Sequence, residues 1–519
     1  MKRNQTLNLI SAVALVTLLA KVLGIIREAL QARAFGTQAA ANLYTIANNN
    51  TIYLFTTAAY ALCVAAVPIL TPRLRRDRKE GYSAANNLIT ITVLLSLVVT
   101  ALGIAATFTP WAASLWDGGQ EDTLCLASYL RVMMLTLPVI VLTYLLVALF
   151  QSQEHFVLQG SMSLPYNIAL ILFLALFADR WGVGGYVAAV SAAWLLQLGM
   201  TVPYGIREHY CPQPKLDLRA SYVRTFFKTA VVTVLTTSIF LFCYLQDSSM
   251  AASLTDSPVS VFYYADKLFT PLTTTLIYSI STVLFPKFSQ EYATTDPATY
   301  RRYIWGILRC TMLVILPASA VLAVFGTPIV KVLFEGGSFD ASSTAATGVI
   351  FSAYALSMAG FCALDLLSKA YYTMEKTLAP LIVNGGILLL NWSLNHLLSP
   401  SLGALGLALA TAFSLTVGGI VLAILLLWKT SGIRLLPVVK CIAAAVVAGL
   451  CLRFAAGMVL TGAEGKILLV AKCLGLGVFA AVLYLLLLMY ITRQEDFWDL
   501  AGRYFPSHFH SDNQGGNLS

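Results

Sequence analysis

The stretch LLAKVLGIIREALQARAFG, residues 18 to 36, places Lys21, Arg27, Glu28 and Arg33 in an otherwise apolar helix. A charge at the centre of a membrane helix costs about 2.5 to 3.5 kcal/mol on insertion scales, so such residues mark a polar path or a buried partner. Counted from a start near residue 7, Lys21 lies about 21 Å along the helix at about 1.5 Å per residue, well inside a hydrocarbon core about 30 Å thick. Arg27 and Arg33 fall at or beyond its outer boundary, where snorkelling to headgroups is the alternative reading. Glu28 follows Lys21 by seven residues and shares its face, with Gly24 between them.

A second constellation opens another apolar run. VSVFYYADKLF sets Asp266 beside Lys267, either as a local ion pair or as part of a polar cavity. The segment ANLYTIANNN supplies Asn42, Asn48 and Asn49. Lys369 is a further embedded cation. Asn391 and Asn395, spaced i,i+4, present carbonyl oxygens on one face; they could hold a cation or bridge neighbouring helices. The ionisable set leans cationic, which suits an anionic cargo bearing phosphate or pyrophosphate. Neither a metal-ligand set nor a catalytic constellation stands out, so the reading is of a protein that is not an enzyme.

The elements that must position these residues are membrane helices. Of 519 residues, 58% are hydrophobic and 11% charged, with a mean hydropathy of +0.77, far from a soluble globular chain. The apolar runs are too long, and too free of alternation, for barrel strands. Fourteen spans are expected, near 7–27, 42–70, 84–108, 124–150, 158–178, 182–205, 222–245, 258–285, 303–326, 345–371, 378–397, 402–428, 436–460 and 466–492. Lys and Arg gather in alternate connections, such as TPRLRRDRKEG and REHYCPQPKLDLRASYVR, while the opposite set, such as ADRWG and FEGGSFDASS, holds few. By the positive-inside rule both termini are cytoplasmic. These loops face anionic headgroups and account for the net charge of +9, so membrane lipids and not nucleic acid are the expected partner. The basic, apolar opening lacks a small-residue cleavage pattern and reads as a retained first helix. Nine scattered cysteines show no CxxC pair and imply no disulfide or metal site.

The chain also repeats. An ungapped offset of 218 residues brings residues 48–68 onto 266–286, matching Ala47/Ala265, Leu54/Leu272, Thr56/Thr274, Tyr60/Tyr278 and Pro68/Pro286. The same offset lays FTPWAASLWDGG on GTPIVKVLFEGG. Because it covers six spans, the copies are parallel repeats, as in transporters that work by alternating access. The expected organisation is an N-terminal six-helix lobe (1–206), a cytoplasmic linker (207–221), a C-terminal six-helix lobe (222–428), two further helices (429–492) and a polar tail (493–519).

Three segments carry a family likeness. LAKVLGIIREALQARAFG resembles the first-helix signature of the MurJ (MviN) lipid II flippase family, SRVLGxxREAxxAxxFG. VSVFYYADKLFTPLTTTLIYSISTVLFPKFSQEY is similar to its eighth-helix segment, and GGSFDASSTAAT with AYALSMAGFCALDLLSKAYYTMEKTLAPL to later stretches. The likeness covers most of residues 10 to 400. It implies an all-α, MATE-like fold of the MOP superfamily with two pseudosymmetric lobes and a central cationic cavity. It implies movement of undecaprenyl-pyrophosphate-linked peptidoglycan precursor across a bacterial inner membrane, with residues 436–492 forming a groove for the lipid tail. Carried over by position, Lys21, Arg27 and Lys267 take the places of three cavity arginines; with Asn49 they are the expected pyrophosphate ligands, and Glu28, Asn42, Asn48, Asp266 and Lys369 are expected to line or gate the cavity. The chain departs from the family where Asn42 replaces an aspartate and where Lys21 and Lys267 replace arginines, losing the planar fork. Other readings on the same fold are a flippase for a different polyprenyl-linked oligosaccharide and a cation-coupled exporter of small molecules. No cofactor is expected beyond a coupling ion, Na+ or H+, or the membrane potential. A monomer is expected, with cell-wall synthesis proteins as possible partners.

Overall fold

A chain this apolar has to pair its backbone N–H and C=O groups within its own segments, and in a single span only a helix does so. The computed structural model describes residues 3–116, 119–252, 254, 259–374, 376, 378–428, 436–460 and 464–492; the expected tail, 493–519, lies outside them. Among the described residues the regular structure is helical, with no strand. Helices overlie every one of the fourteen expected spans, and among the described residues ten helical segments are by themselves long and apolar enough to cross a membrane.

The helices fall into two compact units, Met1–Lys267 with Phe334–Ser343, and Leu268–Leu333 with Thr344–Ser519. The first unit holds α1 (Arg3–Phe35), α2 (Ala39–Asn48), α3 (Leu54–Arg76), α4 (Arg78–Ala106), α5 (Trp111–Ser114), α6 (Gln120–Met134) and α7 (Thr136–Gln151). It continues through α8 (Phe156–Ser161), α9 (Leu164–Leu176), α10 (Ala178–Gly199), α11 (Val202–Arg207), α12 (Ser221–Thr237), α13 (Ile239–Ala251) and the start of α14 (Val259–Thr294). The second unit takes the rest of α14, then α15 (Pro297–Val324), α16 (Gly326–Leu333), most of α17 (Ala341–Thr373), α18 (Leu378–Leu427), α19 (Leu436–Val459) and α20 (Lys466–Thr492).

In the first unit α3 packs between α4, α7 and α12, while α1 runs along α8 and α9. In the second, α19 packs on α15 and α20: Cys441, Ala444, Ala445 and Ala448 bury against Tyr484 and Leu488. Side chains cap some of the helix starts. Asp77 accepts from the Lys79 amide at 3.0 Å to open α4. Asp296 accepts from the amides of Ala298 and Thr299 at 3.0 and 3.1 Å, directly before Pro297 opens α15. Hydrogen bonds from Thr299 and the Ala298 amide hold the Asp296 carboxyl below its ordinary range.

Several boundaries differ from the spans read in the sequence, two of them by a break or a join between runs. The run 222–245 breaks at Ser238, whose φ of −108° and ψ of 22° leave the helical region, giving α12 and α13. The runs 378–397 and 402–428 join as α18, a helical hairpin turned at Gly403. Gly403 has φ 56° and ψ −136°, and Gly182 makes the matching turn in α10 at φ 56° and ψ −156°. Only glycine takes that conformation without strain. Asn391 donates to Thr411 Oγ1 at 2.8 Å, tying the two arms of α18.

No atom stands within 4 Å of where a Cβ on Gly403 would lie, so its substitution isolates the backbone term. Gly403→Ala is expected to destabilise the purified protein by about 1 to 3 kcal/mol, lowering its melting temperature in detergent. Gly386→Ala, in a regular part of α18 with equal space, is expected to leave the melting temperature unchanged or raised.

Candidate functional site

The charges of the first and eighth expected spans meet in the first unit. Arg27 and Glu28, neighbours on α1, form an ion pair with side chains only 13% and 4% exposed. Tyr263, in the opening turns of α14, donates to Glu28 Oε1 at 3.4 Å. The Arg27 guanidinium lies 5.2 Å from the centre of the Tyr166 ring. Tyr44 on α2 stands edge-on to Tyr263 at 6.1 Å and tilted against Tyr186 at 5.3 Å, and Tyr186 donates to Gln31 Oε1 at 2.8 Å. Within this packing Arg27 Nε and Glu28 Oε2 have no hydrogen-bond partner among the described residues.

One turn further along α14 sits a second pair. Asp266, fully buried, accepts from the Tyr53 hydroxyl at 2.8 Å and from Lys267 Nζ at 3.4 Å. The Lys267 ammonium lies 3.9 Å from the centre of the Tyr53 ring and 5.2 Å from that of Tyr263. Tyr263 therefore touches both pairs, its hydroxyl on the carboxylate of one and its face on the cation of the other. Aromatic faces attract cations, so the tyrosines solvate Lys267 where water is scarce.

A local irregularity brings Tyr53 and Asn49 to this place. Residues Asn49–Tyr53 form a π-helical turn between α2 and α3. The polar side chains of the NNNT segment satisfy backbone groups around it: Asn50 Nδ2 donates to the Ile46 carbonyl at 2.9 Å and Thr51 Oγ1 to that of Ala47 at 2.6 Å. Asn49 accepts from Tyr244 at 3.2 Å and donates to Ser248 at 2.8 Å. Asn42 Oδ1 accepts from the amide and hydroxyl of Ser260 at 3.0 and 2.7 Å; these two residues are 218 apart, mates under the repeat offset. The segment Phe334–Ser343 covers the end of α1. The Ser338 amide donates to the Arg33 carbonyl at 2.8 Å, and Tyr264 packs on Phe334 and Phe339, each at 5.4 Å. A Cβ on Gly36 would come within 2.1 Å of the Ser338 carbonyl oxygen, so glycine there permits the closure.

Of the residues singled out in the sequence, the structure brings together Arg27, Glu28, Asp266 and Lys267, with Asn42 and Asn49 on adjoining hydrogen bonds and Asn48 buried beside them. Arg27 does not snorkel: its charge is met by Glu28. Lys21 is half-buried and six residues earlier on α1, about 9 Å along the axis at about 1.5 Å per residue. Lys369 belongs to the second unit, where it pairs with Asp365 at 2.9 Å. Asn391 and Asn395 also lie there; Asn395 donates to Asn391 Oδ1 at 3.4 Å and Asn391 to Thr411, a bridging role. Sequence reasoning missed Tyr44, Tyr53, Tyr166, Tyr186 and Gln31. The available signal was the density of tyrosine within a turn of the polar clusters, since a buried phenol needs a hydrogen-bond partner.

Removing one partner of a buried pair leaves an uncompensated charge, which costs about 3 to 5 kcal/mol. Glu28→Gln is accordingly expected to lower the melting temperature sharply, whereas Arg27→Gln combined with Glu28→Gln recovers most of the loss. Equal melting of the single and double variants would show that the two side chains are not coupled.

Comparison with known proteins bears on the fold and the family. A solved structure described as lipid II flippase MurJ in an inward closed conformation superposes with a TM-score of 0.75 at 18% identity, covering 93% of this chain and 98% of that one. An inward-facing multidrug-resistance MATE family transporter of the MOP superfamily superposes with a TM-score of 0.65 at 12% identity, covering 79% and 94%. At these identities the likeness is one of fold. In sequence, the lipid II flippase MurJ of Burkholderia cenocepacia is 27% identical over 411 residues, 76% of this chain and 78% of that protein. The family model for lipid II flippase MurJ matches residues 31–474, across both expected lobes and most of the last two helices, and the chain belongs to that family.

Proposed function

We propose that this membrane protein moves lipid II, an undecaprenyl-pyrophosphate-linked peptidoglycan precursor, from the cytoplasmic to the outer leaflet by alternating access. The observation that carries the reading is the pair of buried cations on α1 and α14, each held by its own carboxylate and joined through Tyr263. An arriving pyrophosphate competes with Glu28 and Asp266 for Arg27 and Lys267. The unsatisfied Arg27 Nε is already turned toward no protein acceptor among the described residues. Lys21, half-buried and nearer the cytoplasmic end of α1, meets the anion on its way in.

In this reading the work is transport without catalysis. The six-helix repeats, residues 1–206 and 222–428, rock against each other about the linker 207–221. The two last helices, within 429–492, receive the polyprenyl tail. Both termini are cytoplasmic in a bacterial inner membrane, in line with the loop charges. The carboxylates give the cycle a route for coupling. A cation, H+ or Na+, that neutralises Glu28 or Asp266 would release the adjacent base to the cargo, and the membrane potential would favour return of the charged site.

The test is replacement of the endogenous flippase in a bacterium depleted of it, read as growth and as lipid II accumulating in the inner leaflet. The unaltered chain is expected to restore both. Arg27→Ala and Lys267→Ala, at normal expression, are expected to fail, and Lys267→Arg to succeed because charge and reach are kept. Full rescue by both alanine variants would remove these residues from the cargo site. Failure of the unaltered chain, with transport of another polyprenyl-linked glycan, would reassign the cargo.

A further inference from the structure

The two buried pairs are held differently. Arg27 and Glu28 are in full contact, whereas Asp266 takes the Tyr53 hydroxyl at 2.8 Å and the Lys267 ammonium only at 3.4 Å. A contact between an ammonium and a carboxylate normally closes to about 2.7 to 2.9 Å. At Asp266 the bond to the neutral phenol is therefore the short one, and the ion pair is slack. The ammonium is engaged on its other side, 3.9 Å from the centre of the Tyr53 ring. One side chain thus holds both members of the pair, its hydroxyl on the carboxylate and its face on the cation. Lys267 keeps 21% of its side chain exposed while Asp266 keeps none, so an incoming anion meets the lysine first.

Tyr53 is itself fixed in place. Its ring meets that of Tyr244 edge-on at 5.5 Å, and the Tyr244 hydroxyl donates to Asn49 at 3.2 Å. The Tyr53 carbonyl accepts from the hydroxyls of Thr56 and Thr57 at 3.0 and 2.9 Å. Asn49 and Tyr53 are the first and last residues of the π turn, so one irregularity sets the ring and its anchor together. Under the 218-residue offset the mate of Tyr53 is Pro271, and the mate of Asn49 is Lys267 itself. Neither copy of the repeat carries both halves of the arrangement: the first supplies phenol and amide, the second the charges.

We propose that Tyr53 is a positioning residue that keeps Lys267 exchangeable. Its hydroxyl, by donating to Asp266, weakens the carboxylate's pull on the ammonium, and its ring holds the ammonium where a phosphate oxygen can take it. A lysine in full contact with a buried carboxylate would be a poor anion receptor, because the anion would first have to break the pair and leave a carboxylate uncompensated. That the anion is a diphosphate rests on the flippase reading; the clamp rests on the distances alone.

The test compares the full chain in detergent with Tyr53→Phe, Asp266→Asn and the double variant, on protein that melts cooperatively. One readout is equilibrium binding of a polyprenyl diphosphate, by native mass spectrometry. The other is the rate at which Lys267 is reductively methylated in the cargo-free protein, read from its peptide. Phenylalanine keeps the ring and removes the donor, so Asp266 draws the ammonium in. Tyr53→Phe is expected to weaken diphosphate binding about tenfold and to slow methylation of Lys267 by a similar factor. Beside Asp266→Asn the same substitution is expected to add nothing to either readout, since no carboxylate is left to compete. A side chain that merely fills space would act equally in both backgrounds. Unchanged binding or unchanged methylation in Tyr53→Phe, or an equal further loss beside Asp266→Asn, would overturn the proposal. If Asp266→Asn does not fold, Tyr53→Phe alone decides. If the parent binds no diphosphate, the cargo reading fails, and the methylation rates still decide the role of Tyr53.

Discussion

Charge inside a membrane helix has to be met by something other than lipid, and on α1 and α14 it is met by the neighbouring residue. Arg27 with Glu28, and Lys267 with Asp266, are adjacent in sequence, so each span carries its own neutralisation into the bilayer. Insertion of a net-neutral dipeptide is far cheaper than insertion of a lone cation. Adjacent residues point about 100° apart around a helix, however, so long side chains must curl back to meet, and surrounding groups must hold them there. The tyrosine wall does this, with phenol hydroxyls on the carboxylates and ring faces on the cations.

Much of the local architecture serves that corner. The π turn at Asn49–Tyr53 advances the helix by one residue, which swings Tyr53 onto Asp266 and leaves Asn49 to bridge Tyr244 and Ser248. The segment Phe334–Ser343 seals the end of α1, using glycines where backbones come too close for a side chain. Asn42 and Ser260, mates under the 218-residue offset, are bonded to one another. One copy carries an acceptor at this position and the other a double donor, so the two are complementary here.

How much of this was legible beforehand differs by kind of feature. Arg27, Glu28, Asp266 and Lys267 were visible as candidates because ionisable residues in apolar runs are rare. Their depth was not, since distance along a helix from an assumed start says nothing of what the helix packs against. Lys21 looked the most embedded by that measure and proved half-buried, while Arg27, placed nearer the boundary, proved enclosed. The tyrosines did not stand out, because their spacing is that of any amphipathic segment. Only their neighbours, more than two hundred residues away for Tyr53 and Tyr263, make them ligands of buried charge.

By itself the sequence determined the membrane class, the all-helical character, the internal repeat and the family, because these depend on composition, periodicity and local motif, all encoded along the chain. The tertiary structure decided which charges are paired, that the runs 378–397 and 402–428 are arms of one hairpin, and that α2 and α3 are joined by a π turn. It also decided that Tyr53 engages both Asp266 and Lys267. The physical reason is common to all four: each is settled by competition between partners brought together by packing, and one chain's local pattern does not rank partners it has not yet met.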